Sequence, residues 1–169
     1  MIWPRYLLLS LAMVLAYLLK AHFSTATVEE LHYILAPTTS VVEFLTAQKF
    51  SFLKDVGYMN PEQTFAIAKP CSGLNFFITA TLMLLFLYLR GSWPQLLGKM
   101  LLVVLCTFVF TVWLNAGRII MAMVLHSNIE WFEMSFARLH HIQGIVVYFA
   151  ALVGLYSITS RLKQREVAL

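Results

Sequence analysis

Charge is what this chain has least of. Only 12% of its 169 residues are Asp, Glu, Lys or Arg, while 60% are hydrophobic and the mean hydropathy is +0.78. Soluble domains carry about 25% charged residues, so this composition excludes one and indicates a chain that folds in a bilayer. Cysteine is scarce as well: Cys71 and Cys106 are the two present, too few for a disulfide framework. No repeat at a solenoid period and no low-complexity tract occurs, which excludes a repeat array. The formal net charge of +4 is not gathered into a basic stretch with stacking aromatics or Gly-rich signatures. Nucleic acid is therefore not an expected partner, and the charge reads instead as topology information.

What is there is a set of apolar runs, Tyr6–Leu19, Leu74–Leu89, Met100–Leu125 and Ile142–Ile158. Crossing about 30 Å of hydrocarbon takes roughly 20 such residues. With their flanks they define spans of about 2–19, 72–89, 100–125 and 140–159 within a single domain over 1–169, with an outer cap over about 20–70. The fold class expected is an all-α polytopic membrane protein in contact with lipid. The first run is short, and Arg5 before it with Ser24-Thr25-Ala26 after it also resembles a signal peptide. Ile2, Trp3 and Pro4 lengthen it to a span, and one basic side chain is a weak leader signal, so a retained anchor is expected.

Lys and Arg in the short connections set the orientation. Arg5 precedes the first span, Arg90 and Lys99 bracket the second link, and Arg161, Lys163 and Arg165 follow the fourth span. The connections at Lys20–Pro70 and His126–His140 are near charge balance, the latter with Glu130 and Glu133 against Arg138. Both termini are expected in the cytoplasm, and the two balanced connections outside, in a multi-pass protein of the cytoplasmic (inner) membrane.

The outer connection has structure of its own. Val28–Leu35 and Val41–Phe52 are apolar in patches, and the intervening "APTTS" predicts a break between two short helices, with Pro37 ending one and hydroxyls capping the next. The following "FSFLKDVGYMNPEQTFAIAK" predicts a hairpin about Asn60-Pro61 that leads straight to Cys71. A strand edge beside a reactive thiol can receive an extended peptide; a loop that simply closes over the bundle is the alternative.

Three polar residues then fall on one side of the membrane. Cys71, in "AKPCSGLNFF", sits where a span begins from outside, and Pro70 suits a first helical turn. Exposed amides and the helix dipole favour a thiolate there, although a small inert residue at a helix start reads the same. Cys106 lies toward the cytoplasmic end of its span, too far away to bridge, and a free thiol outside the cytoplasm is open to oxidation and needs a reason. Arg118, in "WLNAGRIIMAM", lies about 8 Å to the outer side of its span's midpoint at about 1.5 Å per residue. Such a residue costs about 2.5–3.5 kcal/mol at a helix centre and must face protein or a wet cavity. Asn115, three residues earlier, shares its face. His140 and His141 project about 100° apart. His140 lies on one face with Gly144 and Tyr148, where a glycine lets a neighbouring helix approach, so His140 is expected to face the bundle and His141 the interface.

A thiol, a histidine and an arginine at one depth fit acyl transfer through a thioester. The histidine serves as base for the thiol, and fixed positive charge stabilises the tetrahedral oxyanion.

These segments resemble a known family. "PCSGLNFF", "NAGRI" and "HHIQGIVVYF" are similar to the signatures of the exosortase/archaeosortase family, and the "LAPTTSVVEFLT…VGY" approach is most similar to the exosortase K branch. The resemblance covers roughly Ile34 to Phe149. It implies a membrane cysteine transpeptidase or protease acting outside the membrane on secreted proteins that end in a short motif, a hydrophobic helix and a basic tail. It also implies transfer of the new carboxyl end to an acceptor that the sequence does not identify. Cys71 would be the nucleophile, His140 the general acid and base, and Arg118 the stabiliser of oxyanion or thiolate, with Asn115 and Ser72 supporting and no cofactor. Larger members resemble bundles of about eight helices, whereas about four spans do the work here. Rival readings are a non-catalytic module binding a metal or haem through Cys71 with His126, His140 or His141, and an assembly subunit whose polar trio knits helices together.

The charge pattern makes a direct prediction. A fluorescent protein fused after residue 169 should fluoresce in cells, and an alkaline phosphatase fused there should be inactive. The opposite result would reverse the topology.

Overall fold

The computed structural model describes residues 3–62, 64–89, 93–127 and 136–168. Arg90, Glu130 and Glu133, which carry part of the charge argument, lie outside them. Among the described residues five helices and a small sheet follow in order: α1 (Trp3–Thr25), α2 (His32–Thr46), β1 (Ser51–Leu53), β2 (Gly57–Met59), β3 (Ala66–Ile67), a 3-10 turn at Lys69–Cys71, α3 (Leu74–Tyr88), α4 (Trp93–Ser127) and α5 (Phe136–Ala168). Among the described residues four stretches are long and apolar enough to cross a membrane: Arg5–Thr25, Lys69–Tyr88, Gln95–His126 and Arg138–Gln164. The chain is an all-α polytopic membrane protein with one three-stranded sheet.

Two apolar cores stack along the bundle. At one end Leu8 and Ala12 of α1 pack with Leu84 and Leu85 of α3 and with Leu96 and Val103 of α4. At the other, the cap end, α2 and the sheet close over α3 and α4: Leu31, Leu35, Val42 and Ile67 are buried with Leu74, Ala116, Ile119 and Ala122. A polar seam lies on the facing sides of α3 and α4, where the buried hydroxyls of Thr81 and Thr107 meet at 2.8 Å. Thr107 and Thr111 also return hydrogen bonds to their own helix, at 2.7 Å to Val103 O and Thr107 O. Small polar residues of this kind let transmembrane helices approach closely.

The break expected at Pro37 does not occur: α2 runs through it. A proline inside a helix costs about 3 kcal/mol. Here the stripe Leu31, Ile34, Leu35, Thr38 and Val42 is buried on both sides of it, and each fully buried large side chain contributes about 1.5–3 kcal/mol. Continuity of that face outweighs the lost hydrogen bond. The turn before α2 is closed by a reciprocal capping box, in which Thr27 N donates to Glu30 Oε2 at 2.8 Å and Glu30 N to Thr27 Oγ1 at 3.3 Å.

The expected hairpin about Asn60-Pro61 is β2 paired antiparallel with β3, Tyr58 opposite Ile67. β1 adds a third strand, Ser51 opposite Met59, because Asp55 takes a left-handed conformation (φ 64°) and turns the chain within the first run. Asn60 organises the wider turn, its Oδ1 accepting from the amides of Thr64 and Phe65 at 3.0 and 2.9 Å.

Cations close the helix C-termini, where carbonyls lack partners. Lys69 donates to Ser24 O and Ala26 O at the end of α1, at 3.1 and 2.9 Å. At the end of α3, Arg5 reaches Phe86 O at 3.0 Å and Lys163 reaches Leu87 O at 2.8 Å. The first set ties the segment before Cys71 to α1, so the cap end is held from two helices.

Gly57 has φ +117°, and a Cβ there would lie 2.4 Å from the Ile67 carbonyl oxygen. Gly57→Ala should lower stability in detergent by about 2 kcal/mol or more, through clash and backbone strain. Gly98 lies in α4 with nothing near its Cβ position, and Gly98→Ala should hold or raise stability, by up to about 1 kcal/mol. Thermal unfolding of the two purified variants tests the pair.

Candidate active site

Cys71 does not begin α3, as the sequence predicts, but ends the 3-10 turn Lys69–Cys71. The two are separated by Ser72 and by Gly73, which takes a left-handed conformation at φ 70°. The first-turn amides of α3 are engaged locally, Leu74 N with Ser72 Oγ at 3.4 Å and Phe77 N with Gly73 O at 3.0 Å. Cys71 itself lies in the preceding turn, where its N donates to Ala68 O at 2.8 Å. Ser72, one of the expected supporting residues, is buried and acts as a local cap. Gly73 is required twice over, since a Cβ there would come within 3.1 Å of the Asn115 side chain.

What holds Cys71 is α4. Asn115, fully buried, donates its amide to the Cys71 carbonyl. Its Oδ1 accepts from the Tyr148 hydroxyl at 2.7 Å and from Arg118 Nε at 3.3 Å. Arg118, 5% exposed, donates from its terminal nitrogen to Pro70 O at 3.3 Å. Its positive charge also lies close enough to act on the Cys71 thiol. Its guanidinium carbon lies 5.2 Å from the centre of the Tyr148 ring, a cation–π arrangement. An arginine at this depth is tolerable because protein, not lipid, surrounds it.

α5 supplies the third side. Gly144 faces the guanidinium so closely that a Cβ would lie 2.9 Å from an Arg118 terminal nitrogen. Gln143 is buried, donates to Arg118 O at 2.8 Å and lies three residues along α5 from His140. His140 is half-buried, whereas His141 beside it is exposed.

The residues meet around a cavity of about 290 Å³. Cys71 and Pro70 line it with His140 from α5, His126 from the end of α4, and Thr64, Phe65, Ala66 and Ala68 from the sheet side. The Phe65 and His126 rings meet edge to face at 6.4 Å. Cys71 and His140 thus share one cavity, Arg118 and Asn115 lie behind the Cys71 segment, and His141 lies outside. Both cysteines are free, and Cys106 is exposed on α4. Among the described residues no three His, Cys, Asp or Glu side chains gather as a metal ligand set. A thiol, an imidazole and a buried guanidinium brought together are groups suited to nucleophilic attack on a carbonyl.

Two contributions were not foreseen: the Tyr148 hydroxyl on Asn115 and the Gln143 amide on Arg118 O. Tyr148 was visible as sharing the His140 face. Gln143 carried a signal too, as an amide in an apolar span, which must find a partner in hydrocarbon.

The family description Transmembrane exosortase (Exosortase_EpsH) matches residues 3–157 of the chain. The match is to the family as a whole and assigns no branch. No curated protein and no solved structure matches.

Asn115→Ala should strip the Cys71 carbonyl, the Tyr148 hydroxyl and Arg118 Nε of one shared partner. Each buried group left unsatisfied costs about 1–3 kcal/mol, so the variant should unfold at a distinctly lower temperature in detergent. Tyr148→Phe removes one of those bonds and should show a smaller drop.

Proposed function

The chain belongs to the transmembrane exosortase family, and on that premise we propose that it is a membrane cysteine protease or transpeptidase of the outer face. Its substrates are secreted proteins with a C-terminal motif, hydrophobic helix and basic tail. The observation that carries this reading is the cavity shared by Cys71 and His140, with Arg118 fastened against the Cys71 segment.

The reaction runs in two halves. His140 takes the thiol proton as the Cys71 sulfur attacks the scissile carbonyl carbon, and the carbonyl pair moves to oxygen. Arg118 offsets the negative charge that develops on sulfur and oxygen in a site of low dielectric. The carbon–nitrogen bond then breaks, the proton on His140 passes to the leaving amine, and a thioester to Cys71 remains. An acceptor amine or water, deprotonated by His140, attacks that thioester and returns the thiol. Asn115 and Tyr148 hold the guanidinium in place. Asn115 and Arg118, joined to each other on α4, fix the backbone at Cys71 and Pro70, so little reorganisation accompanies attack.

Cys71→Ala, Arg118→Ala and His140→Ala should each lower processing of a co-expressed substrate about a hundredfold or more, with the protein still accumulating in the membrane. His141→Ala should process within about twofold of the parent, since its side chain is exposed. Immunoblots for loss of the C-terminal tail read this out, and mass spectrometry of a trapped Cys71 thioester is the decisive check. Normal processing by Cys71→Ala would refute the mechanism.

A further inference from the structure

A second cavity adjoins the one that holds Cys71. It also has a volume of about 290 Å³ and shares Thr64, Phe65 and His126 with it. Its remaining wall is polar on the cap side, with Gln48, Asn60 and Glu62, and apolar on the α4 side, with Ile120 and Met123. The two cavities therefore lie in line past the Thr64–Phe65 segment, and the strand that follows that segment, β3, leads to Cys71.

Among the described residues β3 is an edge strand, since the sheet order is β1-β2-β3. Its register fixes which backbone groups face outward. Asn60 N donates to Phe65 O at 3.2 Å, so Asn60 and Phe65 form a hydrogen-bonded pair. Pairs alternate in an antiparallel ladder, so the next pair, Met59 with Ala66, is non-hydrogen-bonded and Tyr58 with Ile67 is bonded again. The N–H and C=O of Ala66 consequently point away from β2, along the free edge. Ala66 and Ala68 line the catalytic cavity, and their methyl side chains leave room beside that edge, while Phe65 and Ile67 turn into the core.

We propose that the substrate segment flanking the scissile bond binds in extended form as a fourth strand on β3. One of its side chains enters the second cavity while the scissile carbonyl reaches Cys71. Main-chain hydrogen bonds to Ala66 supply sequence-independent binding, and the Gln48–Glu62–Met123 cavity reads the side chain. This rests on the peptidase reading above and adds its substrate geometry and specificity pocket.

The test uses the full chain in membranes, with Cys71→Ala, Cys106→Ala and Thr64→Cys leaving a single thiol at the junction of the cavities. The probe is a secreted reporter carrying a motif, hydrophobic helix and basic tail, with one cysteine walked through the eight or so residues before its helix. Strand binding gives disulfide yields that peak at every second position, about threefold or more above their neighbours. A peak every three to four positions, or no crosslink while Thr64→Cys still reacts with maleimide, overturns the proposal.

A second arm removes the outward amide. Ala66→Pro, allowed sterically on an edge strand, should lower reporter processing about tenfold or more, while iodoacetamide labels Cys71 at the parental rate. Unchanged processing overturns the proposal, and altered labelling leaves the crosslinking pattern to decide. Failure of the parental enzyme to process the reporter at all would instead remove the peptidase reading and this inference with it.

Discussion

Asn115 and Arg118, one helical turn apart on α4, grip the carbonyls of Cys71 and Pro70, and the cap-end half of the protein depends on that grip. Neither side chain tolerates lipid. An arginine exposed at this depth costs several kcal/mol, and an amide in hydrocarbon loses its hydrogen bonds. Their burial therefore fixes the rotation of α4, and with it the faces that α2, α3 and α5 must cover. The same side chains lie against the glycines at 73 and 144, where an added Cβ would meet Asn115 at 3.1 Å and an Arg118 terminal nitrogen at 2.9 Å.

In a bilayer, apolar surface alone does not draw helices together, because lipid tails are as apolar as leucine. The bundle instead uses three kinds of polar fastening. The Thr81–Thr107 contact joins α3 to α4, and Arg5, Lys69 and Lys163 close helix C-termini. The Asn115–Arg118–Tyr148 network joins the Pro70–Cys71 turn, α4 and α5. The cap adds what the membrane withholds: a packed core of its own, built by α2 and the sheet on small residues of α4. That core includes Cys71 itself, so the thiol's position is set by the cap's packing and by α4 together.

How much was legible in the sequence varies with the range of the interaction. The spans followed from hydropathy and length, since the bilayer core imposes both. The separation of His140 from His141 followed from helix periodicity alone, and the structure puts the first on the cavity and leaves the second exposed. The break at Pro37 was a sound local expectation overridden by a buried stripe that the local pattern does not weigh. Cys71 at a helix start was likewise local reasoning. The left-handed Gly73 detaches its turn from α3, and the side chain packed against that turn is Asn115, more than forty residues away in sequence.

By itself the sequence determined the class of protein, the number of apolar helices and the presence of a thiol, an arginine and a histidine on three of them, because composition and periodicity act within one segment. Only the tertiary structure decided that α4, not the α3 terminus, positions Cys71, that Tyr148 and Gln143 complete the network, and that the edge of β3 opens beside the thiol. These depend on pairings between segments far apart in the chain. A buried polar group can choose among several partners there, and the packing of the whole molecule selects one.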